Sequence, residues 1–136
     1  MIVYVLDSSA VLRYADSEAG ADRIEAILRE CVSGKAEVCI SALQWGEIAG
    51  RLRQRLGAQD EMRILTSLVP SEVQVISATA ECAVRAAHLR ADRKISYADA
   101  FALDLAMDSP DHVLVTADYG FKAVADLARI EFLPAK

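Results

Sequence analysis

The chain has 136 residues, 54% of them hydrophobic, and a formal net charge of −5. That length suits one domain with a sizeable core, residues 1–136, and that hydrophobic fraction excludes a disordered chain. The negative charge excludes a grip on nucleic acid by bulk charge alone, so chemistry on a polyanion would need a bound metal or a local basic patch.

Short apolar runs alternate with segments of helical period. Ile2–Leu6 is continuously apolar and rich in β-branched residues, as expected of a strand buried on both faces, and it ends abruptly on Asp7. No basic residues precede this run, so it reads as a first strand and not as a signal peptide. Ala10–Ala15 starts a short helix. Asp22–Val32 places Ile24, Ile27, Leu28 and Cys31 at helical spacing, and Gly34 closes that helix. Glu37–Ile40 is a second strand. Ser41 and Gln44 then form a capping box for a helix with the stripe Trp45, Ile48, Ala49, Leu52 and Leu56, which is read as core. Ala58–Val69 is a further helix, stopped by Pro70, and Val73–Ile76 is a third strand.

Thr79–Arg93 carries Ala80, Ala83, Val84, Ala87 and Ala91 on one face, predicted to turn inward. Ser96–Met107 is nearly apolar all round and should be buried. His112–Val115 is a fourth strand, Tyr119–Ala128 is helical, and Ile130–Leu133 is a last strand. Strands separated by helices predict a mostly parallel sheet covered on both faces. No apolar run approaches the roughly 18 residues of a membrane helix. Cys31, Cys39 and Cys82 are odd in number and widely spaced, which fits buried thiols in a reducing cytosol and a cytoplasmic protein. His88 and His112 share no ligand spacing.

Four acids stand out, each with an ordinary structural role to set against a chemical one. Asp7 follows the first strand and Asp118 the fourth, where sites in parallel α/β sheets lie; each could equally cap the next helix. Asp99 stands three residues after Ser96, at capping-box spacing. It also heads the stripe Ala102, Leu103 and Ala106, and a carboxylate leading a buried stripe needs a strong partner. Asp104 and Asp108 lie about 140° away round the helix and are expected to be solvated. Glu47 is followed by Arg51, so a surface ion pair is its ordinary role. Yet Gly46 and Gly50 flank it, each costing a helix about 1 kcal/mol relative to alanine, which makes sense if something must approach there. Four carboxylates sharing one pocket would raise one another's pKa values, and a hard cation such as Mg²⁺ or Mn²⁺, which prefers oxygen ligands, relieves that repulsion.

The stretches "VLDSSAVL", "ISALQWGEI", "ISYADAFALDLA" and "LVTADYGF" occur in this order along nearly the whole chain. In that order and spacing they resemble PIN-domain proteins, specifically the VapC-type ribonuclease toxins of prokaryotic toxin–antitoxin pairs. The resemblance implies a PIN-like three-layer α/β/α fold and Mg²⁺- or Mn²⁺-dependent cleavage of RNA phosphodiester bonds. It assigns the catalytic acids to Asp7, Glu47, Asp99 and Asp118, with Asp7, Asp99 and Asp118 as metal ligands and Glu47 as ligand, water orienter or base. Ser8 and Thr116 would support them by holding carboxylates or waters. It further implies a VapB-type antitoxin as partner and a homodimer. The sequence departs from the family at Ser8, where Thr is frequent, and at Tyr119-Gly120, where polar or charged residues are usual.

Two basic clusters adjoin these segments: Arg51, Arg53 and Arg55 after Glu47, and Arg90, Arg93 and Lys94 before Asp99. They are candidate RNA contacts, against the ordinary role of solvated faces. Two other functions compete. A receiver-type phosphoacceptor domain would use Thr116 and Lys136, but needs adjacent acids after strand one and an Asp after strand three, where this chain reads "LDSS" and "VISA". A catalytically silent PIN-like module would keep the fold and only bind a partner.

Overall fold

The computed structural model describes residues 1–68 and 72–136. Five strands, β1 (Ile2–Leu6), β2 (Ala36–Ser41), β3 (Gln74–Ile76), β4 (His112–Thr116) and β5 (Arg129–Phe132), form one sheet in the order β3-β2-β1-β4-β5. Every neighbouring pair is parallel. This is the three-layer α/β/α architecture expected from the alternation of strands and helices. The order differs from the 2-1-3-4-5 order of receiver domains, which removes that rival at the level of topology.

The central strand explains the unbroken apolar run. Tyr4 and Leu6 pack to one side of the sheet and Val5 to the other. The first side is covered by α1 (Ser8–Ala15), α2 (Ala21–Val32), α3 (Ala42–Leu56) and α4 (Ala58–Ser67), which supply Leu12, Ile24, Ile27, Ile48, Leu52 and Ile64. The second side is covered by α6 (Tyr97–Ala106), through Ala102, Leu103 and Ala106, with α5 (Ala80–Asp92) packed outside it through Ala86. Among the described residues no helix is long and apolar enough to cross a membrane.

Most element boundaries fall close to their expected places; the end of α4 at Val69 and its stop at Pro70 lie outside the described residues. Two elements differ in kind. Residues Tyr119–Val124 form a 3-10 helix, not an α-helix running to Ala128. Its buried residues, Phe121 and Val124, are three apart, the spacing that stacks side chains on a three-residue turn. Helix α5 is rotated from its expected orientation: of the stripe Ala80, Ala83, Val84, Ala87 and Ala91, only Ala83 turns inward, and Val84 is 55% exposed. Ala86, Cys82 and Leu89 face α6 instead. An alanine-rich helix offers little hydrophobic contrast between faces, so its periodicity specifies its orientation weakly.

Candidate active site

Strand order locates the site. The chain builds outward from β1 to β2 and β3, then returns to the other side of β1 for β4 and β5. In open α/β sheets such a reversal marks the crevice where ligands bind, beyond the carboxyl ends of the strands, here β1 and β4. Leu6 pairs with Val115 in register, so Asp7 leaves β1 directly opposite Thr116.

Asp7 is buried, with 2% of its surface exposed. Its Oδ1 accepts from the Ala10 backbone N–H at 2.9 Å, capping α1, so the ordinary role holds. The carboxylate does more. Oδ1 also accepts from the Ser9 hydroxyl at 2.7 Å, and Oδ2 accepts from the Thr116 hydroxyl at 2.6 Å. Those hydroxyls in turn accept backbone N–H groups from the loop after β4: Ser9 from Ala117 at 2.9 Å and Thr116 from Asp118 at 2.9 Å. Asp7 is thereby tied to the loop that carries Asp118.

The α1 hydroxyl that bonds Asp7 is that of Ser9, not Ser8. Asp7 caps α1 and Ser8 is its first residue, so the second serine turns back beside the cap while Ser8 offers its backbone N–H to Gln44 Oε1 at 2.7 Å. Thr116 has its expected place against Asp7.

Asp118 caps the 3-10 helix, its Oδ1 accepting from the Gly120 N–H at 2.8 Å. A Cβ at residue 120 would lie 3.0 Å from that oxygen, so the unusual glycine leaves the carboxylate its room. Asp99 stands in the first turn of α6, with its N–H on the Ser96 hydroxyl at 3.1 Å. Glu47, half-buried, projects from α3. The Glu47–Arg51 ion pair does not occur among the described residues.

Electrostatics bind the four into one group. Burial pushes the Asp7 carboxyl up to about 6 despite its three hydrogen bonds, and the Asp99 charge adds to the rise. Burial also raises Asp99, where hydrogen bonds from Gln44 and Ser96 oppose the Asp118 charge. Glu47 is raised by burial and then by Asp99, with Arg51 opposing. Asp99 is thus the acid whose charge reaches both Asp7 and Glu47. Among the described residues, no three of these side chains converge closely enough to enclose an ion by themselves.

Gln44 was hidden in the sequence by the capping-box pattern. Half the box forms, with the Gln44 N–H on the Ser41 hydroxyl at 3.2 Å. The fully buried side chain turns away, donating from Nε2 to the Ala98 carbonyl at 2.9 Å and to Asp99 Oδ1 at 3.3 Å.

The basic clusters are unequal. Arg53 pairs with Glu61 at 3.5 Å, Arg55 with Asp16 at 2.6 Å, and Arg93 grips Asp126 with two hydrogen bonds at 2.9 and 2.8 Å. Arg51, Arg90 and Lys94 make no ion pair among the described residues. Only Arg51 is felt by two of the acids. Asp104 is not solvated: Arg85 holds both its oxygens, at 2.9 and 3.2 Å.

The family model for the PIN domain matches residues 4–127, a span that contains all four acids. The chain belongs to the PIN domain family. Comparison with curated proteins finds no match. Solved structures show how widely the PIN fold of this chain recurs. VapBC2 from Rickettsia felis, bound to a DNA fragment from its promoter, matches with a TM-score of 0.73 at 17% identity, over 98% of this chain and 100% of that one. DNA-bound VapBC from Salmonella typhimurium matches with a TM-score of 0.73 at 18% identity, over 97% and 98%. VapC20 from Mycobacterium tuberculosis, a toxin that cleaves the sarcin-ricin loop, matches with a TM-score of 0.69 at 21% identity, over 96% and 99%.

Proposed function

We propose that this PIN domain, acting as a single unit over residues 1–136, is a Mg²⁺- or Mn²⁺-dependent endoribonuclease and the toxin of a VapBC-type pair. The observation that carries this is the buried Asp7 at the β1–β4 crevice, raised to about 6 and coupled through Asp99 to the other two acids. The donor set fits a hard divalent ion. All the donors are carboxylate oxygens, and the buried one, Asp7, has no bonded cation among the described residues. Because no three of the acids converge on one point among the described residues, such an ion would be held in part through water, as Mg²⁺ commonly is.

In this mechanism Asp7, Asp99 and Asp118 would hold the ion, directly or through water. The ion, when bound, supplies Lewis acidity that makes water a nucleophile at neutral pH and offsets charge on the phosphate. Glu47, whose raised pKa suits proton acceptance, orients the attacking water or takes its proton. The Ser9 and Thr116 hydroxyls donate to the two Asp7 oxygens and would hold the carboxylate in place for the ion. Arg51 contacts an RNA phosphate beside Glu47; Arg90 and Lys94 extend the grip, while Arg53, Arg55 and Arg93 contribute less because acids already hold them.

The likeness to VapBC complexes supports a VapB-type antitoxin as the partner; a homodimer in the cytoplasm goes with that reading. The test is induction in cells with sequencing of RNA ends, wild type against Asp7→Asn. New RNA ends and growth arrest with wild type alone are expected. No new RNA ends with wild type would overturn the nuclease and favour the silent binding module, and the same new ends in Asp7→Asn would overturn the role of Asp7.

A further inference from the structure

Gln44 is fully buried, and its side-chain amide joins three elements. Oε1 accepts the Ser8 N–H, one residue after Asp7; Nε2 donates to the Ala98 carbonyl and to Asp99 Oδ1. The partners fix which way the amide faces: a donor meets its oxygen, and two acceptors meet its nitrogen. A glutamate would set a carboxylate against a carbonyl and against Asp99. A hydrophobe would leave the Ser8 N–H without its acceptor. The neutral amide is thus the side chain that can bridge the Asp7 turn to Asp99 without adding charge between the acids.

We propose that Gln44 is a positioning residue that sets the relation of Asp99 to Asp7, and through it the affinity of the acids for a divalent ion. It touches neither substrate nor reacting atoms; it acts through Asp99. Residues that orient metal-binding side chains in this way, by hydrogen bonds from behind, typically change affinity by about 10- to 100-fold when lost.

The inference rests on the metal reading above, and calorimetric titration of Mn²⁺ separates the two. Gln44→Met, similar in size and without hydrogen bonds, is expected to weaken Mn²⁺ binding by about 10-fold or more. In an Asp99→Ala background the same substitution is expected to cost almost nothing further, because alanine removes the oxygen through which Gln44 acts. Leu52→Ala, on the same helix and fully buried, is the control: it lowers the melting temperature but leaves Mn²⁺ affinity unchanged. Should Gln44→Met not fold, Gln44→Asn keeps the amide but is too short to span both ends, and the same weakening is expected. Wild type that binds no Mn²⁺ defeats the metal reading and this inference with it. Wild type that binds while Gln44→Met or Gln44→Asn binds equally well overturns this inference alone. So does an undiminished effect of the substitution in Asp99→Ala, which marks a general packing role.

Discussion

The hydroxyl of Thr116 donates to Asp7 Oδ2 at 2.6 Å while accepting the Asp118 N–H at 2.9 Å. One side chain at the end of β4 therefore holds the acid of β1 and the backbone of the acid that follows β4. Thr116→Val keeps the shape and removes both bonds. A loss of about 1–3 kcal/mol in denaturant unfolding is expected, because a hydrogen bond to a charged group is lost and the Asp118 N–H is left unpaired. Thr116→Ser should recover most of it. Equal stability of wild type and Thr116→Val would mean that the crevice is held together elsewhere.

Asp7 gives a pH dependence whose sign is fixed. Its carboxyl is raised from 3.8 to about 6 in the native state. Between about pH 4 and pH 6 the folded protein keeps a proton that the unfolded chain has released, so stability of the metal-free protein falls as pH rises through that window. Above it the loss is complete, on the order of 2–3 kcal/mol for a shift of this size. Asp7→Asn should therefore melt higher than wild type at pH 7 in chelator and almost level with it at pH 4. The hydroxyl of Thr116 can reverse to accept from the new amide, which keeps the network satisfied. Melting curves at the two pH values check this; a less stable Asp7→Asn at pH 7 would contradict it.

Gly120 is predicted to matter through Asp118. A methyl at residue 120 would press on Asp118 Oδ1 from 3.0 Å, displacing the carboxylate by a few tenths of an ångström. Gly120→Ala should fold normally and lose about 10-fold in cleavage rate, as small misplacements near reacting groups do. Unfolding curves together with rates separate this from simple destabilisation, and an unchanged rate would show Asp118 to be tolerant of position.

Arg51 should carry the salt dependence of RNA binding. Measured on inactive Asp7→Asn to avoid cleavage, Arg51→Gln should flatten the slope of log affinity against log salt by about one unit. Arg53→Gln and Arg55→Gln should flatten it less, since Glu61 and Asp16 already engage those side chains. Equal slopes for wild-type and Gln at position 51 would leave the RNA grip to other residues.

The sheet was legible because its central strands, β1 and β4, are built on continuous apolar runs, and a parallel arrangement follows from the helices between strands. Asp7 and Asp118 were legible for the same reason: an acid just beyond a buried strand stands out. Ser9 was not, because the two serines after Asp7 are chemically identical and only the cap geometry of α1 decides which turns back. Gln44 satisfied a capping pattern so well that its second use was concealed, and its side-chain partners, Ser8, Ala98 and Asp99, come from other helices. Helix α5 was misoriented because alanines mark no face strongly, and Asp104 was taken as solvated because its partner, Arg85, comes from another helix.

The central claim is that the crevice acids hold a divalent ion for RNA cleavage. The most direct measurement incubates purified protein with total cellular RNA across a Mn²⁺ series, with chelator at one end, and maps new RNA ends for wild type and Asp7→Asn. Cleavage that saturates with Mn²⁺, vanishes in chelator and falls at least about 100-fold in a folded Asp7→Asn is the predicted result. Cleavage that persists in chelator, or at the wild-type rate in Asp7→Asn, would contradict it.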